Sequence, residues 1–269
     1  MKKLSVLLAL LLLAPALSGC SEKSAGGIGE QMAGWTPVFE DSFENPGSAF
    51  GSVSSPFYQQ EVPGSSGVSS TPGSTGNAAR LDGFTSYIGY SGSVLPPEEG
   101  TIRFEWRAPS GLMDSYTSLQ PDWLAYNGNP PPYCGFILDT VGWNGAFPGG
   151  FSLLLVFQEG NQDYSALSYG TWSGSDWSYA TGEVSPEIWL DGQFHEIVIS
   201  WSASRESLGI WVDGQKAASA AWNTAKDPKE GFFLGHNPWH FADMGYWPYG
   251  PHSLMGDYDN LRIYDQAVQ

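Results

Sequence analysis

The chain has 269 residues, a formal net charge of −17, and 41% hydrophobic content of which much is aromatic. That length suits one large domain, and the apolar share suffices for a sizeable core. Twenty-eight acidic residues against eleven basic ones exclude nucleic acid as a partner and disfavour long polyanions, which the surface would repel.

Residues 1–19 read as an export signal: Lys2 and Lys3, an apolar run over 6–13, then small residues. The run is too short to cross ~30 Å of hydrocarbon. Leu17-Ser18-Gly19-Cys20 resembles a bacterial lipobox, which implies that Cys20 is lipidated and becomes the mature N-terminus. Ser21 after it resembles lipoproteins sent on to an outer membrane, in hosts that have one. With Cys20 acylated, Cys134 has no disulfide partner and reads as an inert buried thiol. Residues 20–34 are small, polar and glycine-rich, the composition of a flexible tether, and residues 35–269 form the domain.

Gly 34 and Pro 19, with no long apolar segment of helical period, predict short strands and long loops. The first strand is expected over 35–44, where Phe39, Asp41 and Phe43 share a parity. Residues 61–77, rich in Pro, Gly, Ser and Thr, read as a long loop. Strands follow over 77–90 and 100–108, the latter with Ile102, Phe104 and Trp106 on one face. Residues 135–140 and 151–157 read as buried strands. The clearest pattern lies over 192–216: Ile197, Ile199 and Trp201 alternate with polar partners, a short turn follows, and Leu208, Ile210 and Val212 alternate again. This is an antiparallel hairpin, and Asp213-Gly214 favours a tight turn into a third strand because both positions tolerate positive φ. A short strand is expected over 231–235 and a terminal one over 255–267.

Three of these stretches carry a family resemblance. Phe194-His195 followed by Trp201 and then Val212-Asp213-Gly214-Gln215-Lys216 resembles the centre of concanavalin A-like jelly rolls, nearest the laminin-G-like (pentraxin-like) branch. Residues 77–90 and the terminal Asp259-x-x-Arg262-Ile263-Tyr264 resemble two further signatures of that branch. The resemblance implies an all-β, concanavalin A-like antiparallel β-sandwich (jelly roll) in a single domain. Laminarinase-type glycoside hydrolases share the fold, so function has to be decided elsewhere.

Jelly rolls commonly place their first and last strands side by side, which would bring Asp41 and Asp259 together. By parity Asp259 shares the core side with Leu261 and Ile263. Two inward carboxylates repel unless a cation or proton intervenes, so the expectation is a structural Ca²⁺ held by Asp41 and Asp259. His236, His240 and His252 with Asp243 fall in or beside one loop, but Pro238 argues against a helical two-histidine site. His195 reads as structural.

Hydrolases of this fold set an acidic cluster along one central strand so that one acid attacks while another protonates the leaving group. The corresponding stretch here, Phe151 to Phe157, has no carboxylate. A non-catalytic carbohydrate-binding module is therefore the leading reading, since sugars stack apolar C–H faces on flat rings. Trp239, Tyr246, Trp247 and Tyr249 form the densest aromatic group, with Asn237 and Asp243 as hydrogen-bond partners, and Trp143, Trp172 and Trp177 form a second. Two alternatives stand: a divergent glycoside hydrolase or polysaccharide lyase with loop acids such as Asp114, Asp122 or Asp163, and a protein-interaction or structural module of the cell envelope.

Overall fold

Alternation decides the centre of the molecule. In the computed structural model the hairpin runs as β11 (His195–Ser202) and β12 (Ser207–Val212), with Ile197 opposite Val212 and Ile199 opposite Ile210. The turn into β13 (Gln215–Ala221) is Asp213-Gly214, with φ of 48° and 77°, the pair of left-handed residues that a type I′ turn requires.

The structure describes residues 27–44, 65–66, 68–81, 86–110, 133–140, 151–158, 161–172, 177–185, 187–222, 231–235, 252–253 and 255–268. Ahead of the hairpin come helix α1 (Ile28–Gln31), β1 (Phe39–Asp41), β2 (Ser65–Ser66), β3 (Val68–Pro72), β4 (Asn77–Leu81), β5 (Tyr87–Ser91) and β6 (Glu99–Arg107). Then come β7 (Tyr133–Asp139), β8 (Phe151–Gln158), β9 (Asn161–Trp172), β10 (Trp177–Glu183) and helix α2 (Glu187–Leu190). After the hairpin follow β14 (Gly231–Gly235), β15 (His252–Ser253) and β16 (Gly256–Tyr264).

The strands form two sheets. The back sheet runs β13-β12-β11-β6-β16-β4-β3, with β1 also paired to β16, and the front sheet runs β10-β9-β8-β7-β14-β5-β2. The pairings are antiparallel except for the two-residue β15, which joins β7 in parallel. The fold is thus an all-β antiparallel sandwich, as the resemblance implies. Its core contains Phe104, Trp106, Trp201 and Tyr258 from the back sheet and Phe151, Leu153 and Phe232 from the front. Phe151 and Trp201 meet across it with ring centroids 5.4 Å apart. The Tyr258 hydroxyl donates to the Ile137 carbonyl at 2.9 Å, which ties the sheets together. Burial raises its pKa, so the phenol stays protonated.

Two expectations need correction. Residues 27–34, read as part of the tether, are packed: Ile28 and Met32 are buried against Val198, Tyr264 and Val268 on the outer face of the back sheet, with Trp35 alongside. Two apolar side chains set among glycines are enough to dock a single helical turn, which average composition conceals. Within 61–77, β3 forms an edge strand paired to β4, with Val68 opposite Leu81. An edge strand with one exposed side tolerates the serines and the Pro72 that suggested a loop.

Candidate functional site

The register of the front sheet lines up one row of positions across six strands. Tyr179 lies opposite Gly170, Gly170 opposite Ser152, Ser152 opposite Asp139, Asp139 opposite Phe233, and Phe233 opposite Gly89. On the neighbouring row parity, Phe151, Leu153 and Leu155 are buried in the core opposite Thr171, Tyr169 and Leu167. Directly opposed residues share a sheet face, so the row from Tyr179 to Gly89 lies on the face turned away from the core. Trp172 and Trp177 oppose each other on that same face, at the end of the β9–β10 hairpin.

This row alternates small positions with two aromatics and one acid. Asp139 and Phe233 are fully buried, although they do not face the core between the sheets. Tyr87, two residues from Gly89, meets Phe233 edge-on at 6.0 Å, and burial raises the pKa of its hydroxyl. No strand of the front sheet carries a lysine or arginine. Its charged residues are Asp139, Asp163 and Glu183. All five arginines fall on the back sheet or its turns: Arg80, Arg103, Arg107, Arg205 and Arg262. The two faces of the sandwich therefore differ in electrostatic character.

Most candidate binding residues singled out from sequence fall outside the described residues: the rings Trp143, Trp239, Tyr246, Trp247 and Tyr249 and the hydrogen-bonding Asn237 and Asp243, as do Cys20, Asp114 and Asp122. Trp172, Trp177 and Asp163 are placed by their strands. The structure brings Trp172 and Trp177 together, five residues apart in sequence and directly opposed in the β9–β10 ladder. Sequence reading passed over Asp139 because it ends the apolar run Phe136-Ile137-Leu138. Its signal was there to find, as a carboxylate out of phase with Leu138 in a strand read as buried.

The expected calcium pair does not form. β1 and β16 are indeed neighbours, with Asp41 opposite Leu261. However, β16 carries a bulge between Asp259 and Arg262, where Asn260 has φ 52°. The extra residue reverses the alternation, so Tyr258, Leu261 and Ile263 face the core while Asp259 faces outward beside Glu105. A one-residue slip moves a side chain to the other face of a sheet. Asp41 accepts from the Phe43 N–H at 2.9 Å and from the Tyr90 hydroxyl at 3.0 Å. Asp259, fully buried, accepts from the backbone N–H groups of Ser74 at 2.8 Å and Asn260 at 2.8 Å. The adjacent Glu105 takes the Ser74 hydroxyl and the Asn260 amide. The two carboxylates thus lie on opposite faces of one sheet, each with its own donors, and do not fit a shared cation. Among the described residues no group of three or more His, Cys, Asp or Glu is placed to hold a metal.

Other charges serve the fold. Asp257 is fully buried and takes Arg80 Nε at 2.6 Å and Arg107 Nη2 at 2.6 Å. His195 bridges Asp213 through Nδ1 at 2.8 Å and Asp191 through Nε2 at 3.1 Å. Burial opposes the charged imidazolium, but these two carboxylates outweigh it and raise its pKa.

No family model matches the sequence, and no curated protein matches it. Several solved structures share part of the fold. A Ruminococcus gnavus IT-sialidase CBM40 bound to α2,3 sialyllactose is 12% identical, over 68% of this chain and 88% of that one, with a TM-score of 0.43. Domains LG4-5 of the mouse laminin α1 chain are 14% identical, over 69% of this chain and 41% of that one, TM-score 0.43. An endo-β-1,4-glucuronan lyase from the fungus Trichoderma reesei is 16% identical, over 86% and 96%, TM-score 0.45. Likeness this distant bears on architecture alone, and the strand order already establishes the architecture.

Proposed function

We propose that the protein is an exported, lipid-anchored, non-catalytic module that binds a glycan on the outer face of its front sheet. The observation that carries this reading is the part of the row over Tyr179, Gly170 and Ser152, flanked by the Trp172–Trp177 pair. The small positions Gly170 and Ser152 leave room for a chain to lie across the strands, and Tyr179, Trp172 and Trp177 supply rings for sugar C–H faces. Asp139 and Phe233, further along the row, are fully buried and take no part in contact. The absence of Lys and Arg from every front-sheet strand favours a neutral glycan there over a polyanion. Among the described residues the row contains one carboxylate, whereas glycoside hydrolysis uses two in opposed roles. The loop rings Trp239, Tyr246, Trp247 and Tyr249 extend the same reading, and the anchor at Cys20 would hold the module at the cell envelope.

Retention of the mature domain in native gels containing neutral polysaccharides tests this reading. Trp172→Ala and Trp177→Ala are expected to weaken retention at least about tenfold on a cognate glycan, with the melting temperature nearly unchanged. Unchanged retention in both correctly folded variants would remove the front sheet from the account. Release of reducing ends from the same polysaccharides would instead establish catalysis.

A further inference from the structure

The back sheet holds a second recess, independent of the glycan reading above. Between β12, β13 and the segment Ala267–Val268 lies a groove of about 390 Å³, within the size range of small-ligand sites. Trp211, Arg205, Lys216, Ser207 and Ser219 line it, and among the described residues no acidic side chain does. In a chain of net charge −17, two cations lining one recess make a local exception to the surface potential.

Two local features build the recess. Gly209 and Trp211 stand two apart on β12 and share a face. A Cβ on Gly209 would lie 2.5 Å from the Trp211 ring, so the missing side chain lets the indole lie down along the strand. The β12–β13 ladder then slips between Ile210 and Trp211: Ile210 faces Ala218, but Trp211 faces Lys216. Unbroken pairing would set Ala217 there. The bulge therefore places an ammonium beside the indole, with Nζ 5.5 Å from the ring centre. Bulges commonly re-aim a side chain in this way. Arg205 is held at the rim by the Ala267 carbonyl at 3.1 Å, with Glu99 at 3.8 Å behind it. Its fork geometry suits a carboxylate.

We infer that this groove binds a carboxylate-bearing sugar, a uronic acid unit or the acidic end of a short oligosaccharide. The indole offers a stacking surface, Lys216 and Arg205 take the carboxylate, and the hydroxyls of Ser207 and Ser219 take ring hydroxyls. The net charge of the whole chain restricts the site to short acidic ligands, because a long polyanion would meet the acidic surroundings.

The test is a two-dimensional NMR titration of the full mature chain with tri-glucuronate, and with cellotriose as its uncharged counterpart. Tri-glucuronate is expected to shift the Trp211 indole N–H, with affinity falling as salt is added, and cellotriose is expected to leave that signal in place. Lys216→Ala, at an exposed position, should weaken binding about tenfold without altering the melting curve, while Lys216→Arg should keep it. Trp177→Ala on the front sheet should leave this binding intact, which separates the two sites. Equal binding of cellotriose, no shift with tri-glucuronate, or full affinity in folded Lys216→Ala would each overturn the inference.

Discussion

His195 shows how one residue carries a pH dependence into the fold. Its ring spans Asp191 at the end of α2 and Asp213 in the β12–β13 turn, and Asp213 also accepts from the Glu196 N–H at 2.9 Å. Because the folded-state pKa is raised above the unfolded value, the charged ring stabilises the fold fully below about pH 6.5. That contribution is lost as pH rises through the folded pKa. Thermal melts of wild type and His195→Gln at stepped pH are expected to show the largest gap in acid and a smaller one in alkali. A gap independent of pH would mean that the ring acts by packing alone. At the same scale, burial, with the neighbouring Asp41 carboxylate, pushes the Tyr90 hydroxyl pKa well up, so the phenol stays protonated and donates to Asp41. Tyr90→Phe is expected to cost about 1–2 kcal/mol in denaturant melts, since Asp41 would keep a single donor.

Among the elements, β16 is the most constrained. Gly256 begins it because the strand passes directly over a core ring. A Cβ there would lie 2.1 Å from Trp106 Nε1. Trp106 is fully buried and has no room to retreat. Gly256→Ala is expected to cost about 3 kcal/mol by overpacking, read as a lower denaturant midpoint at unchanged slope. Four residues on, the bulge at Asn260 turns Asp259 outward, and with it the whole Glu105–Ser74–Asn260 network. One backbone irregularity thus decides whether two acids share an ion or stand on opposite faces.

For the whole molecule, the segregation of charge between the sheets is the organising property. Arginines on the back sheet meet carboxylates across strands: Arg103 with Glu196 at 2.6 Å, and Arg80 and Arg107 with Asp257. The front sheet is left without cations. Since the donors around Asp41 and Asp259 come from the chain itself, excess chelator is expected to move the melting temperature of the mature domain by no more than about 1 °C. An ion held at about 100 times its dissociation constant would stabilise by ~2.7 kcal/mol, a shift of several degrees. A drop of that size with chelator would show that a cation belongs to the fold after all.

What the sequence determined by itself was local. The β11–β12–β13 strands, the Asp213-Gly214 turn, the alternation of Ile102, Phe104 and Trp106, and the pairing of the first strand with the last follow from period-2 patterning, turn chemistry and family signatures. All of these act over a few residues or recur in fixed order. Trp172 and Trp177 were legible as ring candidates from composition, though not as a cross-strand pair. Tertiary structure decided the rest. The phase of Asp259 depends on a bulge forced by how β16 packs between β6 and β4, and the burial of Ile28 depends on a sheet face formed almost 170 residues later. The front-sheet row joins Tyr179, Gly170, Ser152, Asp139, Phe233 and Gly89, positions scattered over 145 residues of sequence. Register between distant strands sets that row, and register is a property of the closed sheet rather than of any one stretch of chain.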